Sequence, residues 1–371
     1  MNYCSKSFTV SKKRDPICAP HTEKYTERGL FSENNFNDMP SEIKMLLTKT
    51  ANHSLAKSTW SSYRTSLKRL KDCETETGKN MDLPLNERQV LLFIGYLLKE
   101  NLTAATIETY MAGLRQAHIA EGWGETQLKS HTVKQIIRGR RNELLNRETS
   151  KRRLPITPTI LQMIKIYIKN QEWNSEKKLL TWAITTIAFH GGFRVHELLP
   201  QNLKSFDPEK TLLRGDIILK NIKVNNDQMK ILQICLKTEK TRRTKGHTLI
   251  DIYESKGKLC PIRAYEKWST LRGETPNNLP AFRDEEGANF TGRRFNGFLR
   301  SFTETNLPNI EGSITSHSFR SGLATMLGTL GFSDEEIKAT GRWSSKAFNA
   351  YLKLPRTQRA HMAREIARLD I

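Results

Sequence analysis

The reading of this chain turns on His317-Ser-Phe-Arg320-Ser-Gly, followed, after a segment patterned as helix-turn-helix, by Gly341-Arg-Trp-Ser-Ser345 and then Tyr351. These residue types meet the needs of a phosphodiester that is to be broken by a tyrosine without a metal. As a fifth bond to phosphorus forms, negative charge grows on the non-bridging oxygens and fixed cations must offset it. Arginine suits that task because it is always charged and offers a planar fork of donors.

Working outward, Arg194 stands just after Gly191-Gly192, a pair that ends an apolar helical run, and Glu197 follows it by three residues. His317 and Arg320 share nearly one helical face, and a histidine there can hydrogen-bond a phosphate oxygen or exchange a proton near neutral pH. Tyr351 is the candidate nucleophile, since a phenol of pKa about 10 also leaves readily enough for the reaction to reverse.

The bulk composition fits such chemistry. The 371 residues carry 60 Lys and Arg against 39 Asp and Glu, a net charge of +21, which predicts attraction to a polyanion, nucleic acid first. No uninterrupted apolar run of about 18 residues occurs and no apolar signal segment follows Met1, so the expectation is a soluble intracellular protein without a membrane partner. Cys4, Cys18, Cys73, Cys235 and Cys260 lie far apart and form no CxxC pair with nearby histidines, which indicates neither a zinc site nor a disulfide framework.

The expected fold class is mainly α with a small antiparallel β-sheet, in two domains. Residues 1–40 mix Ser, Asn, Lys and Pro with little periodicity and read as a disordered leader. Residues 41–148 read as an all-helical domain, with Trp60, Tyr63, Leu67 and Leu70, then Val90, Phe93, Ile94 and Leu97, at helical spacing. Within it, a helix opened by Thr103 carries Ile107, Tyr110, Met111 and Leu114 on one face, with Thr106 and Arg115 off that stripe. The next helix bears Arg138, Arg140 and Arg141. Residues 149–155 read as a basic linker in which Lys151, Arg152 and Arg153 could lie along a phosphate backbone. Residues 156–371 form the second domain: helices, then three strand-like runs at 216–222, 230–236 and 247–253, then helices again, one opened by the capping-box pair Ser333 and Glu336.

Taken together, Gly-Gly-Phe-Arg194-Val-His-Glu197-Leu-Leu, His317-Ser-Phe-Arg320-Ser-Gly, Gly-Arg342-Trp343-Ser-Ser and Tyr351 resemble, in order, the motifs of the tyrosine recombinases, the phage-integrase type of site-specific recombinase. Gly-Arg-Trp-Ser-Ser with Ala347-Phe348 and Tyr351 is most similar to the form found in eukaryotic mobile elements of the Crypton and DIRS types. The resemblance implies a C-shaped clamp on duplex DNA, made of a helical core-binding domain and a catalytic domain. It also implies cleavage to a 3′-phosphotyrosyl link with a free 5′ hydroxyl, no ATP or metal cofactor, and four protomers on two DNA sites, with the tail from Thr357 to Ile371 docking on a neighbour.

Residue by residue, the resemblance implies that Arg194 and Arg320 clamp the scissile phosphate, with Glu197 orienting them from behind. It places a catalytic lysine in the turn after a sheet strand, where Lys240 is the first choice and Lys237 the second. For the position occupied by His or Trp in relatives, Trp343 is the choice, since it has the right type, its indole N–H can donate to the phosphate and its ring can pack beneath the nucleophile helix; Arg342 is the alternative, with the nine-residue spacing to the tyrosine seen in bacterial members. DNA contacts are expected from Arg64, Lys68, Thr106, Arg115, Arg138, Arg140, Arg141, Lys151, Arg152 and Arg153. A eukaryotic element implies the nucleus, and another source the cytoplasm alongside its DNA. Two rival readings are a type IB topoisomerase, which relaxes supercoils, and a silenced mobile-element protein that binds DNA as a regulator.

Overall fold

In the computed structural model the described residues are 39–146, 153–224, 227–237, 247–255, 257–310 and 312–343. The leader 1–38, Lys151, Arg152, Lys240, Tyr351 and the tail from Thr357 lie outside them. The chain divides into two compact units, Met1–Ser150 and Lys151–Ile371.

The first unit holds α1 (Ser41–Asn52), α2 (Lys57–Thr77), α3 (Glu87–Lys99), α4 (Ala104–Ala120) and α5 (His131–Asn146). Local hydrogen bonds set two of the starts. Asn86 and Gln89 form a reciprocal capping box at α3, and the Thr103 hydroxyl accepts from the Thr106 amide at α4. Trp60, Leu70, Phe93, Leu97, Ile107, Met111, Leu114 and Val133 form the core, the apolar stripes converging as helical spacing predicts. His118 is buried among them. Its Nε2 accepts from the Leu85 amide and its Nδ1 meets the Gly124 carbonyl, each at 3.2 Å, and burial pushes its pKa down. α1 is different, because Ile43, Met45 and Leu46 leave their side chains to solvent.

The second unit opens with α6 (Pro158–Asn170), capped by Thr157 with proline in its first turn, then α7 (Ser175–His190) and the single turn α8 (Val195–Leu198). Strands β1 (Ile217–Val224), β2 (Asp227–Leu236) and β3 (Thr248–Tyr253) form one antiparallel sheet in the order β1-β2-β3, with Ile234 opposite both Ile217 and Ile250. These strands overlap the three Ile- and Leu-rich runs of the sequence. Then come α9 (Pro261–Arg272), α10 (Gly292–Asn306), α11 (His317–Thr329) and α12 (Asp334–Gly341). The fold is therefore mostly helical with a small antiparallel sheet.

Every residue of α7 from Leu180 to Phe189 is buried, so this helix runs through the middle of the unit and delivers the Gly191-Gly192-Phe193-Arg194 turn from a fixed base. Phe295 of α10 stacks on Phe319 of α11 with ring centroids 5.7 Å apart, which sets the rotation of the helix that carries His317 and Arg320. The end of the basic linker is tied down as well. Arg153 bridges Ser313 in parallel, the Leu154 amide donates to the Ser313 carbonyl at 3.1 Å, and the Ile156 amide donates to Ser318 at 3.0 Å. Among the described residues no helix is long and apolar enough to cross a membrane.

One residue expected at a DNA surface is instead built into the first unit. Arg140 is 6% exposed; Nε donates to the Leu102 carbonyl (3.0 Å), Nη2 to Asn101 (2.6 Å) and Nη1 to Glu143 (3.2 Å). Its neighbours in sequence, Arg138 and Arg141, remain on the exposed side of α5. Truncating Arg140 to alanine strands buried acceptors, so we expect a loss of about 2–3 kcal/mol, against less than about 0.5 kcal/mol for Arg138→Ala. Hydrogen exchange of the α5 amides measures both; equal protection in the two variants would show that Arg140 is no brace.

Candidate active site

The turn after α7 and the end of α12 meet around one carboxylate. Glu197 lies in α8 with its side chain 1% exposed, and two arginines share it. Arg194 donates from Nη1 to Oε1 at 2.7 Å, and its backbone amide donates to Oε2 at 2.9 Å. Arg342 donates from Nη2 to the same Oε2 at 3.0 Å and from Nη1 to the Gly191 carbonyl at 3.3 Å, with its guanidinium 4.8 Å from the centre of the Phe193 ring. A buried carboxylate without such partners would be strongly destabilising.

Arg320 is 4% exposed and crosses the same junction from α11. It donates to the Gly192 carbonyl at 2.6 Å and to the Gly341 carbonyl at 2.8 Å, and its guanidinium lies 4.9 Å from the centre of the Trp343 ring. Two glycines make the crossing fit. Gly192 takes a positive φ of 54° in the turn, and a Cβ on Gly341 would collide with the Trp343 ring, which folds back over it. Arg342 itself adopts a left-handed φ of 56°, an unusual conformation for a residue with a side chain, held by the contacts just described.

His317, the first residue of α11, reaches the surface beside this cluster. Its pKa is lowered first by desolvation and then by the positive fields of Arg153, His196, Arg194 and Arg320. The imidazole is therefore neutral at pH 7, able to accept one proton and to donate one hydrogen bond. Arg153, expected along a DNA backbone, thus stands within electrostatic reach of His317.

The other predicted residues fall into four groups. Lys237, at the end of β2, lies 3.0 Å from Asp216 Oδ2 and donates to the Pro208 carbonyl at 3.1 Å, so an ordinary ion pair occupies it. Arg64, Lys68 and Arg138 are exposed, Arg141 pairs with Glu108 at 2.6 Å, and Arg115 pairs with Glu125 at 3.3 Å. Thr106 serves the α4 cap, its hydroxyl 2.9 Å from that of Thr103. Lys240, Tyr351, Lys151 and Arg152 are outside the described residues. Among the described residues no group of three or more His, Cys, Asp or Glu is placed to hold a metal ion.

One member of the cluster was not singled out from sequence, and another was read for a different role. His196 is carried beside Arg194 by the turn of α8. Arg342 was weighed only for the His-or-Trp position; its contact with Glu197 could have been suspected from an arginine next to a glycine helix stop, but not assigned. What the cluster can do is hold a phosphate. Arg194 engages only Nη1 among its side-chain donors, leaving Nε and Nη2 without partners among the described residues, at a side-chain exposure of 17%.

No protein-family model and no curated protein sequence matches the chain. Solved structures do. The Tn1549 transposon integrase in complex with transposon right end DNA aligns with a TM-score of 0.54 and 12% identity over 88% of this chain and 99% of that one. The XerH site-specific recombinase bound to difH substrate aligns with a TM-score of 0.55 and 14% identity over 92% of each chain. A lambda integrase dimer bound to a COC′ core site gives 0.54 and 16% over 84% and 76%. The chain therefore has the fold of the tyrosine site-specific recombinases and integrases.

The field around His317 has a testable sign. The cations favour its neutral form, so its NMR titration, identified by loss of the signal in His317→Gln, should have a midpoint below the ordinary 6.5. A phosphate bound among these arginines would favour the charged form and raise the midpoint. A midpoint at or above 6.5 in the free protein would contradict the cluster.

Proposed function

We propose that this chain cuts and rejoins DNA as a tyrosine recombinase, with Tyr351 as nucleophile. The observation that carries the reading is the convergence of Arg194, Arg320 and Arg342 on the turn that holds Glu197, beside His317, within a recombinase fold. The net charge of +21 supplies a general attraction to DNA.

In this reading the Tyr351 oxygen attacks the scissile phosphorus and the bond to the 5′ oxygen breaks, leaving a 3′-phosphotyrosyl link. Neutral His317 is suited to take the phenolic proton, and Lys240, with Lys237 as second choice, gives one to the departing 5′ oxygen. Arg194 and Arg320 offset the charge on the non-bridging oxygens, and Trp343 supports Arg320 from beneath. Attack by another 5′ hydroxyl on the phosphotyrosine reverses these steps on a new strand, with no energy lost to hydrolysis. Removing a donor aimed at transition-state charge costs about 10²–10³ in rate, which is the loss expected for Arg194→Ala.

Arg64, Lys68, Arg138 and Arg141, on the exposed side of their helices, are the first-unit residues best placed to meet a phosphate backbone, and Arg153 is the linker residue that would do so beside the site. The exposed apolar residues of α1, Ile43, Met45 and Leu46, favour assembly with a protein partner, and that assembly would be a tetramer on two DNA sites. Service to a mobile element, in the nucleus of a eukaryotic host, rests on the sequence motifs alone.

The test is a nicked duplex that traps the covalent intermediate, drawn from DNA flanking the coding locus. A protein–DNA adduct on a denaturing gel that disappears in Tyr351→Phe, while DNA binding survives, is the expected result. Tight binding with no adduct would favour the regulator instead. Relaxation of supercoils with no exchange between two sites would favour the topoisomerase.

A further inference from the structure

We infer that Arg342 is a positioning residue for cleavage: by holding one oxygen of Glu197 it keeps Arg194 from closing on that carboxylate, so that Arg194 stays open to the phosphate. The inference rests on the recombinase reading and assigns Arg342 a role distinct from the His-or-Trp position of the motif.

The argument begins with what an arginine does beside a carboxylate. The preferred arrangement is fork on fork, two parallel N–H···O bonds that use two guanidinium nitrogens and both carboxylate oxygens. Arg194 does not make it. Only Nη1 reaches Glu197, and only at Oε1, because Oε2 already accepts from the Arg342 guanidinium at 3.0 Å and from the Arg194 backbone amide at 2.9 Å. With Oε2 filled, Nε and Nη2 of Arg194 have no acceptor among the described residues, while the side chain keeps 17% of its surface exposed. That is the state in which an arginine can take up two oxygens of a phosphate.

Arg342 is well held for this task. Its side chain is 12% exposed, Nη1 is anchored on the Gly191 carbonyl at 3.3 Å, and the Phe193 ring packs against the guanidinium. It also sits at the C-cap of α12, in the left-handed conformation, next to Trp343 and ahead of the segment that leads to Tyr351. The same side chain thus registers the end of α12 against the turn that carries Arg194. If Arg342 is lost, the buried carboxylate retains one cation, and the two-point pairing with Arg194 becomes its best remaining compensation.

The test uses the full chain and the trapped-intermediate duplex. Arg342→Ala should bind the duplex within about threefold of wild type but form adduct at least about 30-fold more slowly, since the loss falls on the step and not on the complex. Arg342→Lys, which can reach Oε2 but cannot also hold Gly191 and stack on Phe193, should fall between them. The decisive variant is the double substitution Arg342→Ala with Glu197→Gln. An amide draws Arg194 less strongly than a carboxylate, so the double variant should cleave faster than Arg342→Ala alone, a recovery that damage to the fold would not produce. Cleavage by Arg342→Ala within about threefold of wild type would overturn the inference, as would a double variant no faster than the single one. Absence of any adduct with the wild-type protein on cognate DNA would instead overturn the recombinase reading, and the inference with it.

Discussion

Two arginines, Arg194 and Arg342, are held where the turn after α7 meets the end of α12 because one buried carboxylate, Glu197, accepts from both. Without it, Arg194 and Arg342 would be like charges facing each other in a poorly solvated turn. With it, the loop after α7 and the end of α12 are joined by hydrogen bonds that span 145 residues of sequence. Arg320 then adds a second crossing between the same two segments through the carbonyls of Gly192 and Gly341. The concentration of positive charge is a by-product of this joint: the cations that knit the turns are the same ones that the proposed phosphodiester would meet.

The supporting architecture is arranged to keep that joint still. α7 is buried along its length, and α11 is locked in rotation by the stacking of Phe295 on Phe319. Precision matters here, because electrostatic stabilisation depends on donors that need not move when charge appears.

Much of this was legible in the sequence, and the parts that were not share one physical cause. Thr103 and Ser333 mark helix starts because capping bonds are local, made to amides three residues away. The apolar run of α7 and the Ile-rich strands announce themselves through burial patterns that a short window contains. The motifs around Arg194, His317 and Arg320 could be placed together from sequence because each residue type suits a task in phosphate chemistry. Arg140 could not be read correctly, since its acceptors Asn101 and Leu102 lie far back in the chain and nothing beside it in α5 distinguishes it from exposed Arg138 and Arg141. The pairing of Arg342 with Glu197 was hidden for the same reason, and so was the exposure of α1, whose spacing alone looks like that of a core helix. Sequence pattern reports local bonds and periodicity; it does not report which distant acceptor a long cation will find.

The backbone pairing of residues 153–156 with residues 313–318 has a mechanical meaning. Polypeptide entering the second unit is fastened at Leu154 and Ile156 to the strand-like lead-in and first turn of α11, where His317 begins the helix. A pull or twist arriving along the chain is therefore borne first by bonds at the helix start, with no side-chain relay between. In engineering terms the tether and the site are one part, and the orientation of α11 is the gauge on which any load carried by the chain would register.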